Sequence, residues 1–214
     1  MIHSPRLLAL AAAGLIVGAV ALAAIFAAHR GGSQPANGPP PGPYRGSEPP
    51  SGLHAPDFTL RDYRGKTVRM RALRGRVVLL SFVDSKCKEK CPIVTSVMAS
   101  AMRRLARKQQ REVVPLLMSV NPLIDTHTSI RRFLAARRAL SLSYLVGSVR
   151  KLRPIWKAYG ILPAVDTGNA DVHSSDVRVF DRNGIWVSTQ HAGVDLTPAN
   201  LAHDALAALR RSSR

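Results

Sequence analysis

The chain has two cysteines, Cys87 and Cys91, separated by three residues in the run SKCKEKCP. An apolar β-branched stretch precedes the run and a helical pattern follows it, so both thiols are expected in a strand-to-helix loop. Pro92 suits the first helical turn, where its missing amide donor is not needed. At a helix N-terminus the positive end of the dipole favours thiolate, and Lys86, Lys88 and Lys90 add cationic charge around the sulfurs. Both sulfurs are therefore expected to ionise readily. Buried, unreactive cysteines are the alternative, but such thiols normally sit inside strands or helices rather than in a lysine-rich loop. The C-x-x-C spacing of thiol-disulfide oxidoreductases is one residue shorter. The longer loop lets two sulfurs converge on one ion. Paired soft thiolates select Cu(I) over harder cations, with Zn as the less specific alternative, and a histidine as third ligand would also admit Cu(II).

The elements that hold this loop follow from hydrophobic period. FTLRD at 58–62 and KTVRM at 66–70 read as a short hairpin, RVVLLSFVD at 76–84 as a buried central strand, and VVPLLMSVN at 113–121 as another. Residues 92–110 place Val94, Val97, Met98, Ala101, Met102 and Leu105 at helical spacing, and further helices are expected at 126–139, 148–159 and 197–211. VRVFD and WVSTQ flank Arg182-Asn183-Gly184 as a closing hairpin. Strands separated by helices imply an α/β sandwich. Met98 and Met102 lie one turn apart beyond the cysteine loop; thioethers can bind Cu(I), but helical spacing reads as core packing. Asp84 is expected to cap the strand end or to hydrogen-bond near the site, and Trp156 and Tyr159 read as structural.

Of 214 residues, 31 are Lys or Arg and 13 are Asp or Glu, a formal net charge of +18, which excludes an acidic solvating tail protein. With 46% hydrophobic residues the chain suits one globular domain plus accessory segments. Two cysteines exclude a disulfide-dense scaffold and a four-thiolate zinc site. Residues 7–28, LLALAAAGLIVGAVALAAIFAA, carry no charge, and as a helix these 22 residues would cross a membrane. Arg6 and the amino terminus precede the segment, so residues 1–6 are expected in the cytoplasm and the remainder outside it. A signal peptide cleaved after Ala21-Leu22-Ala23 is the competing reading; the length favours an uncleaved transmembrane anchor. With no cysteine nearby, lipoprotein attachment is excluded. Residues 29–53 are rich in Pro and Gly and are expected to form a disordered tether, so that the folded domain, 54–214, begins near His54. Arg131, Arg132, Arg137 and Arg138 are expected to form one exposed ridge suited to anionic lipid headgroups or an acidic protein. Nucleic-acid binding is set aside, because no aromatic interleaving or groove-reading motif accompanies the charge.

Five motifs together are far more specific than the cysteines alone. They are APDFTLRDYRGKTVRMRALRGRVVLLSF, Cys87-Lys-Glu-Lys-Cys91-Pro92, MSVNPLIDT, WKAYGI, and His173-Ser174 ahead of VRVFDRNG. Through them residues 54–209 resemble the Sco/SenC family of thioredoxin-like copper proteins that help assemble cytochrome c oxidase. The resemblance implies a thioredoxin-like sandwich, a central mixed sheet flanked by helices. It implies Cys87, Cys91 and His173 as ligands of one copper ion, Cu(I) or Cu(II), with His173 just ahead of a strand that enters opposite the cysteine loop. It implies a metallochaperone rather than an enzyme, a single-pass protein of the bacterial inner membrane with its domain in the periplasm. The copper-binding subunit of cytochrome c oxidase would be the recipient, and other copper chaperones or a thioredoxin-like reductant would be further partners. A thiol-disulfide oxidoreductase that reduces the oxidase subunit's cysteines through Cys87 and Cys91 is the alternative, with a thiol peroxidase as a further variant. His191, His127, His203, His54 and His29 are not expected to bind metal. The chain departs from the family pattern at Lys88, where Pro or a small residue is usual, and at Asn121, where Asp is usual. Asp171 stands one residue further from the histidine than usual, which bears on how the ring is oriented.

Overall fold

A computed structural model describes residues 42–168 and 176–211. The first hairpin pairs β1 (Thr59–Asp62) with β2 (Thr67–Arg69) antiparallel, and a 3-10 turn at Met70–Leu73 leads on to β3 (Val77–Val83). β3 reads VVLLSFV and is buried along its whole length, as a β-branched apolar run should be when both faces of its sheet are covered. β4 (Val113–Ser119) lies parallel to it, in register from Val77 opposite Val113 to Val83 opposite Ser119. β5 (Ser143–Val146) continues the parallel set, while β6 (Asp176–Phe180) and β7 (Trp186–His191) form an antiparallel hairpin on the other side of β3. The sheet order is β2-β1-β5-β4-β3-β6-β7.

Alternation along β3 divides the core. Val77, Leu79 and Val83 face a layer that contains Cys87, Cys91, Val94, Met98, Leu201 and Ala205. Val78, Leu80 and Phe82 face the opposite layer, with Leu152, Trp156 and Tyr159. The first layer is built by α1 (Lys90–Arg104), α3 (His127–Ala135) and α6 (Pro198–Arg210), and the second by α4 (Val149–Ala158). The short helices α2 (Arg107–Glu112) and α5 (Ala164–Thr167) complete the set.

Three expectations are corrected. The helix predicted over 92–110 starts at Lys90 and breaks at Leu105, which is extended and buried, before α2 begins. No Gly or Pro marks the break; it follows from β4 having to start at Val113, beside Val77. β5 was not expected, yet its residues join β4 to the first hairpin through Asp62 opposite Leu145. Finally, the fold begins before His54. Arg45 N and Gly46 N donate to the Asp204 carboxylate at 2.7 and 3.0 Å, and Ser47 and Thr189 exchange backbone hydrogen bonds at 2.9 and 2.8 Å. Trp186 N donates to Leu53 O at 2.7 Å. The last part of the predicted tether is thus a strap on β7 and α6. The apolar segment 7–28 and the tether up to residue 41 lie outside the described residues; no helix among those described is long and apolar enough to cross a membrane.

Candidate metal centre

β3 ends at Val83 and the chain turns at once into the loop that carries both cysteines. Asp84 organises this turn: its Oδ1 accepts from Lys86 N at 2.6 Å, its carbonyl accepts from Cys87 N at 3.3 Å, and its own N–H points to Cys91 Sγ at 3.5 Å. α1 begins at Lys90, so Pro92 stands in its first turn, as predicted, while Cys91 stands there too rather than in the loop before the helix. The Cys91 N–H donates to Cys87 Sγ at 3.3 Å, which brings the two sulfur-bearing side chains together.

The electrostatics differ from the expectation. Cys87 and Cys91 are only 4% and 1% exposed, while Lys86, Lys88 and Lys90 lie exposed in solvent. The Cys91 thiol is pushed far above the ordinary thiol range by its hydrogen bond with Cys87 and by burial, against which the backbone donor of Asp84 counts for less. Ready ionisation of both sulfurs is therefore corrected: the Cys87 contact and burial favour the protonated Cys91 thiol. The lysine charges are solvated, and solvation screens them. Arg137 is a cation that does sense both sulfurs. It is half-buried rather than part of an exposed ridge; its guanidinium lies 4.0 Å from the Phe133 ring centroid, and Nη1 donates to Phe133 O at 2.6 Å. Arg131, Arg132 and Arg138 are exposed as expected.

A second loop supports the first. Because β3 and β4 are parallel neighbours, the residues after β4 emerge beside the cysteine loop. Asn121 Nδ2 donates to Asp84 Oδ2 at 3.0 Å. Asp125 accepts from Ser85 N at 2.9 Å and from the Tyr144 hydroxyl at 2.8 Å. Burial pushes the Asp125 carboxyl above its usual range despite donors from Ser119, Ser85 and Tyr144. Asp125, Arg137 and Tyr144 were missed as residues around the site; the MSVNPLIDT motif, which holds Asn121 and Asp125, was the one signal pointing here.

Met98 is fully buried, as core packing requires, and Trp156 and Tyr159 are core residues too. His127 packs against Tyr63, and His203 sits on Asp204. His173 lies outside the described residues, as does Asp171. Among the described residues no group of three or more His, Cys, Asp or Glu is arranged to hold a metal.

A mixed sheet covered by helices on both faces, with a cysteine pair at a strand-to-helix junction, defines a thioredoxin-like domain. The SCO1/SenC family profile matches residues 47–209, and the chain belongs to that family. Among its relatives is an SCO2-like protein of Rickettsia typhi, 23% identical over 146 residues that make up 65% of this chain and 70% of the relative. Similar solved structures include Bradyrhizobium japonicum ScoI with copper bound, with a TM-score of 0.59, 24% identity, and 72% of this chain and 98% of that one covered. Another is BsSco, described as a member of the Sco family of cytochrome c oxidase assembly proteins with a disulfide switch, with a TM-score of 0.64, 22% identity, and 78% and 99% covered. The match begins at residue 47, in agreement with the docked strap and ahead of the boundary read near His54.

Proposed function

We propose that this protein is a membrane-anchored copper metallochaperone that binds one copper ion through Cys87, Cys91 and His173 and delivers it to the copper-binding subunit of cytochrome c oxidase. The observation that carries the reading is the buried meeting of two sulfurs at the end of β3, in a chain of the SCO1/SenC family. The donor set is soft, as Cu(I) requires, and an imidazole would extend it to Cu(II). Support for His173 comes from topology. β6 is antiparallel to β3, and Ser81 Oγ donates to the carbonyl of Asp176, the first residue of β6, at 2.7 Å. His173 precedes that residue by three, a reach of at most about 10 Å. Segment 7–28 serves as the anchor, and the domain works in the periplasm.

Copper enters by displacing the proton that Cys91 holds, and it leaves by ligand exchange, as thiolates of the recipient replace Cys87 and Cys91. No substrate bond is made or broken. The second reading, a dithiol reductase, draws on the contact between the two cysteines. Copper stoichiometry, EPR and disulfide exchange measured on the wild type and on His173→Ala separate the two. The carrier loses tight Cu(II) binding in the variant; a reductase retains its exchange rate because the imidazole is dispensable to it. An unchanged copper spectrum in His173→Ala would remove the histidine from the ligand set.

A further inference from the structure

Next to the cysteine loop, α3 and the turn that follows it border a cavity of about 300 Å³ lined by Ser85, Lys86, Ser129, Arg132, Phe133 and Arg137. Three cations line it, and no acidic side chain does. Lys86 and Arg132 reach solvent, whereas Arg137 is held down by its stacking on Phe133 at 4.0 Å and by the bond from Nη1 to Phe133 O. With Nη1 tied, the free edge of this guanidinium is the one formed by Nε and Nη2. Nε is buried and has no hydrogen-bond acceptor among the described residues. Buried charged donors are normally satisfied, so an orphan donor on a residue that lines an open cationic cavity points to an anion supplied from outside.

We propose that this cavity receives the carboxylate of an acidic side chain on a protein that docks over the cysteine loop, with Arg137 as its anchoring residue. The planar Nε–Nη2 edge matches the two oxygens of a carboxylate. A phosphate, whose oxygens are arranged tetrahedrally, matches that planar edge less closely. The Ser85 hydroxyl is spent on Ser129 Oγ at 2.9 Å, and the Ser129 hydroxyl on Ile124 O at 2.9 Å. The exposed Lys86 and Arg132, on a chain of net charge +18, would steer an acidic partner toward the cavity. That this partner is the protein exchanging copper rests on the function proposed above; the carboxylate site itself does not.

The test uses the metal-free full-length chain and a capped peptide of alternating Glu and Gly, with the Gln-Gly peptide as control. The readouts are the Arg137 Nε–H resonance and peptide affinity by fluorescence anisotropy. The Glu peptide should shift that resonance and slow its exchange with water, and the control should not. Arg137→Lys, which keeps the charge and removes the fork, should weaken binding roughly tenfold or more, and Arg132→Gln only a few-fold with strong salt dependence. The wild-type resonance needs no variant, so a folding defect in Arg137→Lys leaves the test intact. An unmoved resonance, or equal affinity of Arg137→Lys and wild type, overturns the site. So does a resonance that responds to inorganic phosphate or to phosphatidylglycerol vesicles as strongly as to the peptide, since the cavity would then be a general oxyanion or lipid site. Copper stoichiometry is measured separately, so failure of the copper reading would leave the peptide result standing.

Discussion

At the residue scale, Cys91 sets how copper binding must depend on pH. Its thiol is held protonated by the Cys87 contact and by burial, so each ion that binds has to displace that proton. Affinity for Cu(I) should therefore rise with pH, by about tenfold per unit for each proton released. Competition titrations on either side of neutrality check this, and a flat profile would show that Cys91 is already thiolate. Asn121 supplies a second prediction. Its amide donates to the Asp84 carboxylate, so Asn121→Asp sets two buried-edge carboxylates against each other. The variant should lose about 1–3 kcal/mol at neutral pH. The loss should shrink in acid, where one carboxyl takes up a proton, and thermal melts at both pH values would show it.

At the element scale, the strap before β1 depends on close backbone approach. A Cβ on Gly46 would run into the Thr189 carbonyl on β7, a backbone atom that cannot swing away. Gly46→Ala is expected to lift residues 44–47 from the sheet at a cost of about 1–3 kcal/mol, the scale of a few lost hydrogen bonds. Limited proteolysis near Tyr44 reads the release directly; an unchanged cleavage pattern would show that β7 can accommodate the methyl group. The same scale explains the site: α1 begins where the β3 loop ends, and the loop after β4 braces it through Asn121 and Asp125.

Across the whole molecule, Asp204 links the strap, the last strand and the last helix. Its carboxylate is fully buried and accepts from Arg45 N, Gly46 N, Ser188 Oγ and Gln190 Nε2, with His203 alongside. Burial alone would raise its pKa; these donors, led by Ser188, more than offset that and hold it below the usual carboxylate range. A depressed folded-state pKa stabilises the fold above the ordinary Asp value of about 4 and loses that contribution as pH falls through the folded value. Asp204→Asn should therefore cost on the order of 3 kcal/mol at neutral pH, with the difference from wild type narrowing below pH about 4. Urea unfolding at the two pH values tests the sign, and a constant difference would mean that lost geometry, not charge, is responsible.

Much of this protein was legible in its residues because local patterns carry that information. The apolar run of β3, the hairpins at both ends of the fold, Pro92 in the first turn of α1 and the spacing of Cys87 and Cys91 each follow from period or from one residue's backbone chemistry. β5, only four residues long, was not legible, because its identity comes from the strands on either side of it. Nor was the break at Leu105, which is set by the register of β4. The protonation of Cys91 and the inward turn of Arg137 were decided by burial, which depends on what packs above the loop, and a sequence read along one dimension does not contain that. The sequence determined which groups can do the chemistry; tertiary packing decided which of them are charged and what they face.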